Sequence, residues 1–150
     1  MHTDFQVVTD QPVILGFDPG RQKCGVAVMG VDRSLRYNQV IESGQAVATV
    51  QQLCSAYPVT LIVIGDQTSS REWQQRLSHE LTESLRVVAV DERNSTLEAR
   101  DRYWQMYPPS GFSRLLPQSL RTIPRPIDDI VAILLIERYL AKLTTRPPEW

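Results

Sequence analysis

The chain predicts an α/β domain built on a mixed five-stranded sheet with helices on both faces. Three observations lead there. Five short apolar runs of strand length recur along the 150 residues. The first three runs are joined by connections too short for a crossover, so they pair antiparallel. From residue 45 onward, amphipathic helical segments alternate with apolar runs, the pattern of parallel strands with helical crossovers.

The first strand, Val13–Phe17, ends in Asp18-Pro19-Gly20, a carboxylate followed by turn residues. Cys24–Met29 is the second strand and Leu35–Ile41 the third, joined by the turn chemistry of Gly30–Ser34. Ser43-Gly44 opens a helix over Gln45–Tyr57, with Val47, Val50, Leu53 and Cys54 at helical spacing and Pro58 as its stop. Leu61–Ile64 is a fourth strand, ending in Gly65-Asp66. Ser69 or Ser70 caps a second helix to about Ser84, with Trp73, Leu77 and Leu81 along one face. Val87–Val90 is the fifth strand, ending in Asp91-Glu92. The third helix, Ser95–Met106, opens on a Ser95…Glu98 capping box. Pro108-Pro109 break it. Ser110–Pro126 is a Pro/Arg/Ser-rich loop, long enough to expect a functional or disordered segment. Asp128 opens the last helix, to about Lys142. Its Ile130–Ile136 stretch is apolar all round, which means deep burial, in part at a subunit contact if the chain is a homodimer. Residues 1–12 read as a loose leader and 144–150 as a frayed tail around a single domain.

Composition narrows the function classes. An apolar fraction of 42% and a charged fraction of 22% are those of a soluble globular chain. No apolar run approaches the ~18 residues of a membrane span, and the first residues lack a signal-peptide layout. A cytoplasmic location is therefore expected. Cys24 and Cys54 form no CxxC pair and have no neighbouring His, so they read as reduced thiols rather than zinc ligands. With only His2 and His79, a His-based triad has little material. The net charge of −1 argues against a generic polyanion binder. Yet the only charges from Tyr107 to Pro126 are Arg114, Arg121 and Arg125, and Lys occurs only at positions 23 and 142. Arginine suits bidentate phosphate contact; genome composition explains the same bias equally well.

The chemistry lies in acids at the ends of elements: Asp18, Asp66, the pair Asp91 and Glu92, and Asp128 with Asp129 at the start of the last helix. If strands one, four and five run parallel, their C-terminal ends share one edge, where such sheets bind ligands. Clustered carboxylates with no matching cation repel unless a metal sits among them. Hard oxygen ligands favour Mg²⁺ or Mn²⁺, and phosphodiester hydrolysis is the usual chemistry of such a site. Each acid also has a plainer reading. Asp18 can initiate a turn, and Asp66 can cap the following loop. Asp91 and Glu92 can occupy a solvated turn or pair with Arg93. Asp128 can be an N-cap, and Asp129 a partner of the helix dipole.

Ile14-Leu15-Gly16-Phe17-Asp18-Pro19-Gly20 followed by Gly25-Val26-Ala27-Val28 resembles the opening of RuvC-like and YqgF-like (RuvX) nucleases of the ribonuclease H superfamily. Val90-Asp91-Glu92-Arg93-Asn94-Ser95-Thr96-Leu97-Glu98-Ala99-Arg100 resembles the YqgF "DER…ST…EA" segment, the most specific match. Ile127-Asp128-Asp129 through Leu140 is similar to that family's closing helix. The resemblance implies the ribonuclease H-like fold with strand order 3-2-1-4-5, and divalent-metal nuclease chemistry on pre-16S rRNA or branched DNA. It assigns the first-strand acid to Asp18, the DER acids to Asp91 and Glu92, and the final-helix acid to Asp128. The basic loop it implies near the site matches Arg114, Arg121 and Arg125. Two departures stand out. Where the YqgF pattern has glycine, apolar, proline, this chain has Gly65-Asp66-Gln67, and RuvC-type enzymes carry an acid there. Val131 occupies the place of a RuvC-like second acid three residues after Asp128.

The leading expectation is a metal-dependent endonuclease. Asp18 and Asp128 hold the metal, Asp66 or Glu92 completes the set, and Arg93 orients carboxylates or grips a phosphate. The Arg114–Arg125 loop acts as a mobile flap on the nucleic-acid backbone. Tyr103, Trp104 and Tyr107 either stack bases or pack in the core. The alternative is a nucleic-acid-binding or assembly protein of the same fold without chemistry. A third reading, ATP-dependent phosphotransfer, follows from the likeness of Asp18-Pro19-Gly20 to the first phosphate loop of actin and sugar kinases. That reading needs a second domain to close over the nucleotide.

Overall fold

The computed structural model describes residues 11–144 apart from Thr68 and Glu83. Most of the expected leader and tail lies outside the described residues. Strands β1 (Val13–Asp18), β2 (Lys23–Gly30) and β3 (Leu35–Glu42) form a meander, and a 3₁₀ turn at Ser43–Gln45 leads into α1 (Ala46–Ala56). Then follow β4 (Val59–Gly65), α2 (Ser70–Glu80), β5 (Arg86–Val90), α3 (Ser95–Met106) and α4 (Asp128–Thr144). The sheet order is β3-β2-β1-β4-β5. β1 pairs antiparallel with β2, and β2 with β3. β1, β4 and β5 run parallel. This is the ribonuclease H-like arrangement.

Side-chain alternation along β1 divides the interior into two cores. Val13, Leu15 and Phe17 point to one face, where Val50, Leu53, Trp73 and Leu77 of α1 and α2 cover them. Ile14 points to the other, with Ala99 and Tyr103 of α3 and the run Ile130–Ile136 of α4. The all-round apolar character of that run has its cause within one chain, since each of its residues is buried there. Asp18 continues the Ile14–Gly16 alternation, so it faces α4.

Glycine sets how closely α4 lies on the sheet. A Cβ on Gly16 would fall inside the Ala132 carbonyl, and one on Gly25 inside the Asp128 carbonyl. Both strands give up a side chain so that the helix backbone can rest on them.

Four local expectations come out differently. Ser69 precedes α2, but neither it nor Ser70 makes a side-chain capping bond. The Ser95…Glu98 capping box does not form. Ser95 lies inside the helix, Asn94 precedes it in the left-handed region (φ 60°), and no side chain caps the end. Glu98 instead pairs with Arg138. Helix α2 stops at Glu80 because Leu81 turns extended (ψ 142°) while keeping its side chain buried. The Ser110–Pro126 segment carries 3₁₀ turns at Gly111–Leu115 and Gln118–Leu120. Arg121 stitches it by donating from Nε to the carbonyls of Ser113 (3.2 Å) and Leu116 (3.1 Å).

Candidate active site

Asp18 is the last residue of β1 and pairs in register with Gly25 of β2. Because Gly25 has no side chain, the first turn of α4 lies directly over it, and Asp128 arrives beside Asp18. Asp128 is the first residue of that helix rather than its cap: the Ile130 and Val131 amides bond back to the Ile127 carbonyl. The Asp18 and Asp128 carboxyls are close enough for each to shift the other's titration. Two carboxylates held together favour the state in which one of them keeps a proton. Burial pushes the Asp18 carboxyl up to about 8, helped by the charges of Glu92 and Asp128. Asp128 is also raised by burial, though less, because its interaction with Asp18 lowers it. Asp18 is the more strongly raised of the two.

Glu92 is the third acid of this neighbourhood. It is buried at 7% exposure and lies over Gly65, where a Cβ would collide with its carboxylate. Gly65 follows Ile64, the register partner of Phe17, so Asp18 is flanked by glycines on both neighbouring strands. The Gln67 amide donates to Glu92 Oε2 (3.3 Å), yet burial still raises the Glu92 carboxyl above the ordinary range. Asp66 is exposed and accepts from the Glu92 amide (3.4 Å). It ties the turn after β4 to the turn after β5, and its charge also raises Glu92. Asp91 is exposed and accepts from the Arg93 amide (2.9 Å), shaping the turn. Of the two acids that could stand third, Glu92 acts directly on Asp18.

Asp129 has different partners. At 2% exposure it accepts from Asn38 Nδ2 (2.7 Å) and from Arg125 Nη1 (2.9 Å). Arg125 in turn lies over the rings of Tyr103 and Tyr107, 5.5 Å from each centroid. Its guanidinium thus pins the start of α4 to β3 and α3. Arg121 lies over Trp104 (5.6 Å) and stitches its own loop, leaving Arg114 as the exposed one of the three loop arginines. Arg93 lines a cavity with Arg138 and Lys142. Residues that sequence reasoning passed over are the spacers Gly16 and Gly65 and the anchor Asn38. A lone Asn inside a strand and a glycine at a strand end are the signals each left in the chain.

The donor set suits a hard divalent ion in its chemistry: all are carboxylates, with Asp18 and Glu92 buried. Among the described residues, no group of three or more His, Cys, Asp or Glu side chains is placed to hold a metal ion. Mg²⁺ does not need three, since it commonly takes one or two carboxylates and fills its shell with water and substrate phosphate.

Residues 12–142 match the family model "RuvX: Holliday junction resolvase". A relative in Psychrobacter sp. (strain PRwf-1), named "Putative pre-16S rRNA nuclease", is 29% identical over 151 residues, spanning 88% of this chain and 79% of the relative. Among solved structures, T. thermophilus RuvC in complex with Holliday junction substrate superposes with a TM-score of 0.59 at 16% identity, covering 91% of this chain and 97% of that one. A second Thermus thermophilus RuvC structure gives 0.50 at 16% identity, covering 89% and 97%. At that identity the likeness speaks to the fold.

Proposed function

The chain belongs to the RuvX family, and from that premise we propose that it is a divalent-metal-dependent endonuclease that hydrolyses phosphodiester bonds in structured nucleic acid. The observation that carries this reading is the meeting of Asp18, at the end of β1, with Asp128, at the start of α4 over Gly25, with Glu92 acting on Asp18. Asp18 and Asp128 would hold Mg²⁺ or Mn²⁺, which supplies an activated water and neutralises the leaving oxygen. Glu92 stands third, and burial raises its carboxyl above the ordinary range, which favours a role in taking up a proton. Asp66 and Asp91 hold the two turns that present Glu92. Asp129 and Arg125 fix the helix end that presents Asp128. Arg114, exposed on the loop, is left to meet a backbone phosphate.

The substrate class follows the relatives: precursor 16S rRNA, as the Psychrobacter relative is named, or a four-way DNA junction, as the family is described. Symmetric cutting of a junction would use two copies related by a two-fold axis. The test incubates wild type and Asp18→Asn with labelled pre-rRNA fragments and four-way junctions, in Mn²⁺ or EDTA. Cleavage by wild type in Mn²⁺, lost in EDTA and in the Asn variant, is the expected result, and the substrate that is cut settles RNA against DNA. Cleavage that survives either change would sink the metal-nuclease reading. Binding without cleavage in any condition would mark the chain as a nucleic-acid-binding or assembly protein.

A further inference from the structure

A cavity of about 730 Å³ opens beside the acids. Pro19 and Gly20, which follow Asp18, form one end, and Gln67, whose amide holds Glu92, forms another part of the wall. Its volume falls in the range of ligand sites, ~300–1,000 Å³. Two cations line it: Arg21 on the β1–β2 turn and Arg76 on α2. Both are exposed. Neither belongs to the acid centre or to the arginine loop.

Arg76 is held in a defined pose. Its guanidinium lies over the Trp73 ring, 4.4 Å from the centroid, and Glu80 accepts from its Nε at 3.3 Å. Trp73 is itself almost buried, and its ring meets Phe17 edge-on at 5.1 Å. Phe17 immediately precedes Asp18. A packed column therefore runs from the acid-bearing strand through Trp73 to a flat cation open to solvent. The indole face is covered by the guanidinium, so the surface on offer is the outer side of Arg76. Guanidinium planes stack unpaired bases, and a duplex presents no free base face. Glu72, the one acid in the lining, disfavours a polyanion that fills the groove from end to end.

From this we infer that the groove between the β1–β2 turn and α2 is a subsite for one unpaired nucleotide next to the bond being cut. Its base stacks on Arg76 and its phosphate is met by Arg21. The inference rests on the reading that the chain acts on nucleic acid, and it names the strand state at the site: single-stranded immediately beside the cut.

The test measures binding without chemistry. Full-length Asp18→Asn is titrated against a fluorescein-labelled single-stranded RNA 12-mer and the same sequence in a duplex, by anisotropy over a salt series. Arg76→Ala should weaken single-strand binding about tenfold or more, with little change for the duplex. Arg76→Lys, which keeps charge but loses the plane, should recover only part. Arg21→Ala should lower the slope of log affinity against log salt by about 0.7, the value for one single-strand phosphate contact. Arg86→Ala, at the opposite end of β5, is the control. The Arg76–Glu80 pair is an exposed surface pair, so its loss leaves the fold intact, which a melting curve checks. Groove variants that bind like the control, or that lose duplex and single strand equally, overturn the subsite. If wild type cleaves while the groove variants bind normally, the subsite fails and the nuclease reading stands. If groove variants lose single-strand binding while wild type never cleaves, the reverse holds.

Discussion

Replacing Asp18 with Asn removes a buried carboxyl while keeping its shape, and the consequence can be worked out from its surroundings. Burial, with the charges of Glu92 and Asp128, pushes the Asp18 carboxyl up to about 8. In the unfolded chain it would titrate near its ordinary value of ~3.9. The folded state therefore binds the proton more tightly, so stability is full below about pH 4 and falls as pH rises through about 8. A displacement of roughly 4 in pKa at ~1.36 kcal/mol each sets a ceiling of ~5–6 kcal/mol. Because the two carboxyls titrate as a pair, about half that, ~2–3 kcal/mol, is the working figure. For a domain of this size that corresponds to ~5–10 °C in melting temperature. Thermal melts in EDTA from pH 5 to 9 should show wild type losing that much more than Asp18→Asn. Saturating Mg²⁺ at pH 9 should restore wild type by about 2.7 kcal/mol at a hundredfold excess over its dissociation constant, and leave the Asn variant unmoved. Parallel melting profiles for the two proteins, with and without Mg²⁺, would refute the coupled acid pair and the metal argument with it.

Gly25→Ala should cost ~1–3 kcal/mol in a urea melt, because a methyl there displaces the Asp128 backbone, and it should abolish the Mg²⁺ response before it abolishes folding. Gly65→Ala should leave stability nearly unchanged if Glu92 swings away into solvent; a fall in Mg²⁺ affinity by calorimetry is the expected sign. Arg125→Ala leaves Asp129 buried with only Asn38 to answer it and should destabilise by ~3 kcal/mol, whereas Asp129→Asn with Arg125 intact should cost less. Chemical denaturation of the two variants side by side checks the order.

The sheet was readable because its signals are local. Each of β1 to β5 is a short apolar run bounded by turn residues, and Gly30–Ser34 is too short for anything but a hairpin. The acids at element ends were readable for the same reason: a strand of fixed polarity puts its last residue at a known edge. What the chain did not announce is which acids point inward. Asp66, Asp91 and Glu92 occupy equivalent places in the sequence, yet only Glu92 lies buried over a glycine on the neighbouring strand, a non-local contact. Asp129 likewise differs from Asp128 by one step of ~100° around a helix, enough to aim it at Asn38 and Arg125. The Ser95…Glu98 pattern misled because Arg138, distant in sequence, competes for Glu98. The groove beside α2 joins the β1–β2 turn to Trp73 and Arg76, and no periodicity links residues that far apart.

The three glycines under the acids have a consequence for how this centre can change over time. Distances between catalytic groups are commonly held by packed side chains, which drift as a core is repacked. Here the ruler is main chain resting on main chain at Gly16 and Gly25, and carboxylate resting on main chain at Gly65. The hydrophobic interior can therefore exchange leucine for isoleucine or valine freely without altering the gap between Asp18 and Asp128. A single methyl at Gly16 or Gly25 would push the α4 backbone off the sheet and alter it at once, whereas one at Gly65 would displace Glu92 and leave the pair in place.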